Sequence, residues 1–321
     1  MQWNLLLENF RNPALLFFVL GIIASQLKSD LKVPENSSKF ISLYLLFSIG
    51  FKGGQELAHS AFSPEIVWSI VAGIVLALLV PVYVFFGSKG RLGNENAAAV
   101  AASYGSVSAV TFVTAISFLE MQGLSYGGHM VAVMALMEAP SIMAGVVLLA
   151  LTREGAIDLG KFAKVSRHAL TNGSVLLILG SLVIGFIASD SQSEGITPFT
   201  TDIFKGFLSI FLLDMGLSCG NRLKGFAQHG GYALGLAILV PLINAVLVAY
   251  LSGFFLSQTG DRLLLTILAG SASYIAVPAA MRLAVPEANP GLYLTMALAI
   301  TFPLNVMFGI PFYEYLIIHF F

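Results

Sequence analysis

The sequence is poor in charge and nearly devoid of cysteine. Only 10% of its 321 residues are Asp, Glu, Lys or Arg, against about 25% in soluble domains. That deficit argues against a soluble globular enzyme and against a disordered chain. The formal net charge is −1, so no basic field exists to hold nucleic acid. A single cysteine, Cys219, excludes an internal disulfide and a paired-cysteine zinc site. The five histidines, His59 and His129 among them, show no metal-ligand spacing. Residues 1–12 lack a basic n-region, so a cleavable signal peptide is not expected.

What the chain has instead is apolar length: 57% of it is hydrophobic. A bilayer core takes roughly 20 apolar residues per helix. Ten such stretches are read, at 13–27, 40–53, 66–86, 96–119, 128–151, 172–188, 204–218, 232–255, 263–283 and 291–318. The expected fold is therefore an all-α integral membrane protein of ten transmembrane helices, with no room for a separate soluble domain. Loops after odd-numbered stretches hold Lys28, Lys32, Lys39, Lys89, Arg91, Arg153, Lys161, Lys164, Arg167, Arg222, Lys224 and Arg282. The other side holds Arg11, Lys52, Lys205 and Arg262. By the positive-inside rule the odd loops are cytoplasmic and both termini face outward.

The chain also echoes itself at an offset near 165. Ile49-Gly50-Phe51-Lys52-Gly53-Gly54 parallels Met215-Gly216-Leu217-Ser218-Cys219-Gly220, and Gly105-Ser106-Val107-Ser108 parallels Gly270-Ser271-Ala272-Ser273. Met134-Ala135-Leu136 with Pro140 parallels Met296-Ala297-Leu298 with Pro303. The expected organisation is a first five-helix repeat at 1–152, a short cytoplasmic linker at 153–166 and a second repeat at 167–321. An odd number of helices per repeat inverts the second relative to the first, the arrangement of many secondary transporters.

The fourth and ninth stretches are each interrupted at the centre, by the two Gly-Ser motifs. Glycine and serine weaken a helix, and Pro278 removes a backbone donor. Two discontinuous helices crossing at the midplane would bring two half-helix N-termini together, near Ser106 or Ser108 and near Ser271 or Ser273. Free N–H groups and the positive dipole end suit an anion, and the carbonyls that end the preceding half-helices suit a cation. The competing reading is close helix packing through small residues. Glu138, in the fifth stretch, is a costly intramembrane carboxylate with no cationic residue in its own span, and a bound sodium ion would compensate it. A protonated structural Glu is the alternative. Its repeat partner falls near Thr301, with Asn305 one turn on. Asp214, in the seventh stretch, serves either ion or proton coupling or a helix–helix hydrogen bond. Tyr104 and Tyr274 flank the breaks, either to gate and bind or to pack.

Taken in this order, the motifs resemble the sodium-dependent bicarbonate transporters of cyanobacteria and other bacteria, the SbtA-like permeases. The stretches Phe204-Lys205-Gly206-Phe207-Leu208-Ser209-Ile210 and Pro286-Glu287-Ala288-Asn289-Pro290, and the acid before Pro140, share in the likeness. It spans almost the whole chain. The resemblance implies sodium-coupled bicarbonate symport in a bacterial inner membrane, by movement of a core against a scaffold, with no other cofactor. It implies a homotrimer and a PII-like regulatory partner at the cytoplasmic face. The short 153–166 linker departs from members with a long insert there.

The resemblance carries the family's ligand region over to Ser106, Ser108, Ser271 and Ser273 and its acidic position to Glu138; with the neighbouring Gly105, Val107, Gly270 and Ala272, these serines are the expected substrate-binding residues. Sodium is expected at Glu138, Ser103, Tyr104, Thr301 and Asn305. A sodium–proton antiporter using Glu138 and Asp214, or a symporter of another small anion, is the competing function. An intramembrane aspartyl protease needs two facing aspartates, and Asp214 is the only one placed within a span.

Overall fold

The computed structural model of the chain describes residues 11–152, 159–226 and 230–321. The helices are α1 (Pro13–Gln26), α2 (Glu35–Ala58), α3 (Pro64–Leu92), α4 (Asn94–Gly105), α5 (Ala109–Gln122), α6 (His129–Thr152), α7 (Leu159–Leu170) and α8 (Gly173–Ile187). They continue with α9 (Phe204–Phe226), α10 (Gly230–Ser252), α11 (Thr259–Ala269), α12 (Ala276–Ala284) and α13 (Pro290–His319). No strand occurs among the described residues.

Local sequence sets where several helices start. Asn12, Asn172 and Asn289 each accept a hydrogen bond from the backbone N–H two residues on, at 3.0, 2.9 and 2.8 Å. Pro13 and Pro290 follow two of these caps, where a missing N–H costs nothing. Gly123, at φ +66°, closes α5 in the left-handed region that glycine adopts without penalty.

Six described segments are long and apolar enough to cross a membrane: Pro64–Leu92, Asn94–Gln122, His129–Thr152, Pro198–Leu223, Gly230–Ser252 and Pro290–His319. A seventh arises if Ala163–Leu170 and Gly173–Ile187, bent by 45°, count as one. The other expected spans differ for physical reasons. Helix α1 has 14 residues. Helix α2 has 24 but carries Glu35, Lys39, Lys52 and Glu56. The 263–283 stretch is divided into α11 and α12. The expected linker is not wholly irregular either: 153–158 lie outside the described residues, and Leu159–Leu170 is helical, packing on α6 and α12.

The helices pack as two groups. Helices α1 and α9 lie together, as do α2 and α8, with α2 also touching α9. Glycines permit this closeness. A Cβ on Gly54 would strike the backbone of Leu182 and Phe186, and one on Gly185 the backbone of Phe51. Gly21 and Gly216 meet in the same manner between α1 and α9. These crossings use the small residues of the repeated Gly motifs for close helix approach. The second group holds α3 to α6 and α10 to α13. Helix α3 packs on α4 and α6, and α10 on α11 and α13. Tyr83 of α3 donates a hydrogen bond to Asn244 of α10.

Candidate functional site

The chain stops being helical at Gly105 and resumes at Ala109; it stops again at Ala269 and resumes at Ala276. The second interruption is longer than the sequence pattern implies. Helix α12 does not start at Ser271 or Ser273. Pro278 lies in its first turn, where no ladder hydrogen bond is lost, so it does not break a helix interior as expected.

The two interruptions are fastened to each other. The Ser273 N–H donates to the Ser103 carbonyl at 2.8 Å. The Ser108 N–H donates to Ser271 Oγ at 3.0 Å, and Ser271 Oγ donates to the Leu268 carbonyl at 3.2 Å. Ser108 Oγ accepts from the Thr111 N–H and hydroxyl at 3.2 and 2.8 Å, capping α5. Each break is also seated against a neighbouring helix. A Cβ on Gly105 would overlap the Pro81 ring and Ser141 Oγ; one on Gly270 would lie 2.8 Å from Ala245 Cβ and 3.1 Å from the Pro241 carbonyl. Pro81 and Pro241 are the internal prolines of α3 and α10. Ser141 Oγ donates to the Ala102 carbonyl at 2.8 Å.

A cavity opens beside this junction. Val107, Ser108, Ala109, Val110, Ser273, Tyr274, Ile275, Ala276 and Glu138 line it from one helix group, and Ser42, Leu45, Leu46, Ser174 and Phe211 from the other. Among the described residues, the backbone N–H groups of Ala109, Val110, Ile275 and Ala276 have no hydrogen-bond partner. They belong to the starts of two half-helices, and all four residues border one space. Oriented N–H donors of this kind favour negative charge. Ser103 Oγ, Ser106 Oγ and Glu138 Oε2 are buried without a hydrogen-bond partner. Tyr274 borders the same space with its hydroxyl near Ser108 yet short of a hydrogen bond. Phe302 stacks edge-on against both Tyr274 and Phe18 of α1, at centroid distances of 5.6 and 5.4 Å.

The expected site residues are thus dispersed into three sets. Gly105–Ser108 and Gly270–Ser273 form the junction, with Gly105, Gly270 and Ala272 packed and Val107, Ser108 and Ser273 at the cavity. Glu138, 5% exposed, borders the cavity with them. Tyr104 and Thr301 are bonded to each other, and Asn305 is bonded to the junction. The Tyr104 and Thr301 hydroxyls lie 2.8 Å apart, and Thr301 Oγ1 donates to the Ala237 carbonyl at 2.7 Å. Asn305 Nδ2 donates to the Gly270 carbonyl at 2.7 Å, while its Oδ1 accepts from Tyr313. The Gly270 carbonyl, at the end of α11, is therefore engaged by protein. Thr301 and Asn305 fall in two π-helical stretches of α13, Met296–Thr301 and Asn305–Gly309, which flank Pro303. Such bulges redirect side chains and frequently mark function. Asp214 stands apart from the cavity lining and accepts from Ser38 Oγ at 2.5 Å, joining α9 to α2.

Sequence reasoning missed three contributors. Pro81, Pro241 and Ser141 carry no local signal, because their contacts come from other helices. It also passed over Glu314, an acid inside the last apolar stretch that is 3% exposed with an unpartnered Oε2 and lies outside the cavity lining.

The chain matches the family model described as the Na+-dependent bicarbonate transporter superfamily over residues 13–318, nearly its whole length. No curated protein matches it.

Proposed function

The chain belongs to the Na+-dependent bicarbonate transporter superfamily, and from that membership we propose that it performs sodium-coupled symport of bicarbonate. One observation carries the reading. Four residues at two half-helix starts, Ala109, Val110, Ile275 and Ala276, whose N–H groups have no partner, line one cavity together with Ser108, Ser273 and Glu138. Bicarbonate is small, planar and singly charged, so dipole ends and hydroxyls hold it without an arginine. An anion beside Glu138 is tolerated only with a cation present. Sodium, a hard cation that takes oxygen ligands, fits the unpartnered Ser103, Ser106 and Glu138 oxygens. Sodium and bicarbonate then bind together or hardly at all, which is the thermodynamic root of coupling.

The proposal extends to architecture. Ten spans in two inverted five-helix repeats, with the broken helices crossing at the midplane, account for the element order and for the paired contacts α1–α9 and α2–α8. Alternating access would be elevator-like, with the group that holds the breaks sliding against α1, α2, α8 and α9. Ser42 and Ser174 lie near the starts of α2 and α8, on the side where Lys and Arg concentrate. The conformation is accordingly read as inward-facing, with both termini outside a bacterial inner membrane. A homotrimer and a PII-like partner belong to the same reading.

Uptake of labelled bicarbonate into proteoliposomes at fixed pH, with and without an inward sodium gradient, tests it. Sodium-driven accumulation is expected. Folded protein that accumulates no label would remove bicarbonate as cargo, and the same vesicles would then be assayed for other small anions and for sodium–proton exchange. Exchange through Glu138 and Asp214 has less support, because Asp214 is tied to Ser38 away from the cavity.

A further inference from the structure

The seam between α2 and α5 carries three spaces in series. The central cavity is lined by Ser42 and Leu45 on α2 and by Val110 and Val113 on α5. The next space along the same two helices is lined by Ser48, Ile49 and Lys52 on α2 and by Ile116 and Glu120 on α5. Beyond it an open vestibule is bordered by Lys52, Gln55, Glu56, His59, Thr197 and Thr201. Ten residues separate Ser42 from Lys52, about 15 Å of helix. Lys52 and Thr201 line both the second and third spaces, and Lys52 forms an ion pair with Glu120 across the seam. The pair joins the two helix groups and is only partly buried, its side chains 29% and 27% exposed. Beneath it, Ser48 Oγ is buried near the Tyr44 hydroxyl yet short of a well-formed hydrogen bond. A polar atom left unbonded along an otherwise apolar seam is costly in a closed structure and useful on a path that fills with water or ligand.

We propose that this seam is the outer access route to the central cavity, that Lys52 is the residue that captures the incoming anion, and that Glu120 occupies its place while the route is shut. The inference rests on the symport reading for the identity of the anion, a small monovalent oxyanion. The vestibule supplies one ammonium group at its floor, with the Gln55 amide and the Thr201 hydroxyl as neutral donors around it; the Thr197 hydroxyl is already given to the Ser193 carbonyl, and Glu56 borders the same space without a positive charge to offer. An anion arriving at Lys52 competes with Glu120, and losing that pair frees α5 from α2. Capture and opening are then one event.

Two readouts test this in intact cells. The first is labelling of Ser48→Cys by a membrane-impermeant maleimide, with protein carrying only the buried Cys219 as control. Labelling is expected to be slow with the pair intact and several-fold faster in Glu120→Gln, as expected when a latch between two states is removed. The exchanged pair Lys52→Glu with Glu120→Lys restores slow labelling. The second readout is the concentration of external bicarbonate that gives half-maximal uptake. Lys52→Gln is expected to raise it about tenfold while the maximal rate falls about twofold at most, the signature of lost binding. Lys52→Arg keeps it near the original value, and the exchanged pair leaves it raised.

Equal labelling with and without the pair would overturn the gate. An unchanged half-saturation in Lys52→Gln would overturn capture. Should Lys52→Gln fail to accumulate in the membrane, Glu120→Gln still decides the gate, and an unraised half-saturation in the exchanged pair would overturn capture. If the unaltered protein moves no bicarbonate, the functional reading fails, yet the labelling series still reads the gate.

Discussion

Two neighbouring segments of equal length meet opposite surroundings. Pro64–Leu92 and Asn94–Gln122 each have 29 residues, but the most apolar window of the first is 33% buried in protein and that of the second is 94% buried. The first is one uninterrupted helix despite Pro81; the second stops for Ser106, Val107 and Ser108. In lipid an open backbone has nothing to bond, so a surface helix must stay whole. Within protein, the Ser103 carbonyl and the Ser108 N–H are satisfied by Ser273 and Ser271 of the other break. The break is thus a property of its wrapping as much as of its own residues. The more exposed Pro64–Leu92 contributes a support, Pro81 against Gly105, and the buried Asn94–Gln122 holds the interruption.

That contrast yields four predictions, the most damaging first. Gly105→Val places side-chain atoms where the Pro81 ring and Ser141 Oγ lie. Overpacking costs typically about 1–3 kcal/mol, and displacing the break should abolish sodium-driven uptake, with a lowered melting temperature in detergent. Ser271→Ala removes the acceptor for the Ser108 N–H. A buried donor left unpaired costs about 1–3 kcal/mol, and uptake is expected to fall at least tenfold while the protein still inserts; Ser106→Ala is expected to lose uptake as well. Glu138→Gln keeps the shape and removes the charge. It is expected to raise the sodium concentration for half-maximal uptake severalfold, and an unchanged sodium dependence would return Glu138 to a structural role. Leu79→Ala, on the exposed face of Pro64–Leu92, should alter neither uptake nor sodium dependence. A large effect there would show that the more exposed helix does more than support.

What was legible in the sequence follows the same divide. Gly-Ser motifs inside apolar stretches are local signals, and the helices do stop at Gly105 and Ala269. Glu138 stood out as an acid in an apolar run, and it borders the cavity. Contacts made between distant segments were not legible. Asp214 gave no hint of Ser38, nor Lys52 of Glu120, 68 positions away. Thr301 and Asn305 read as oxygens for a cation, whereas in the fold the Thr301 hydroxyl meets the Ala237 carbonyl and Tyr104, and the Asn305 oxygen accepts from Tyr313. The late start of α12 was missed because Pro278 reads equally as a helix breaker and as a first-turn residue. Only the backbone around it distinguishes the two.

On the proposed function, the two breaks form one site where sodium and bicarbonate bind together. The decisive experiment is equilibrium binding of labelled bicarbonate to the purified protein, titrated with and without sodium and repeated on Ser271→Ala. Saturable binding that requires sodium and disappears in the variant is expected. Binding of equal strength without sodium, or binding untouched by Ser271→Ala, would contradict it.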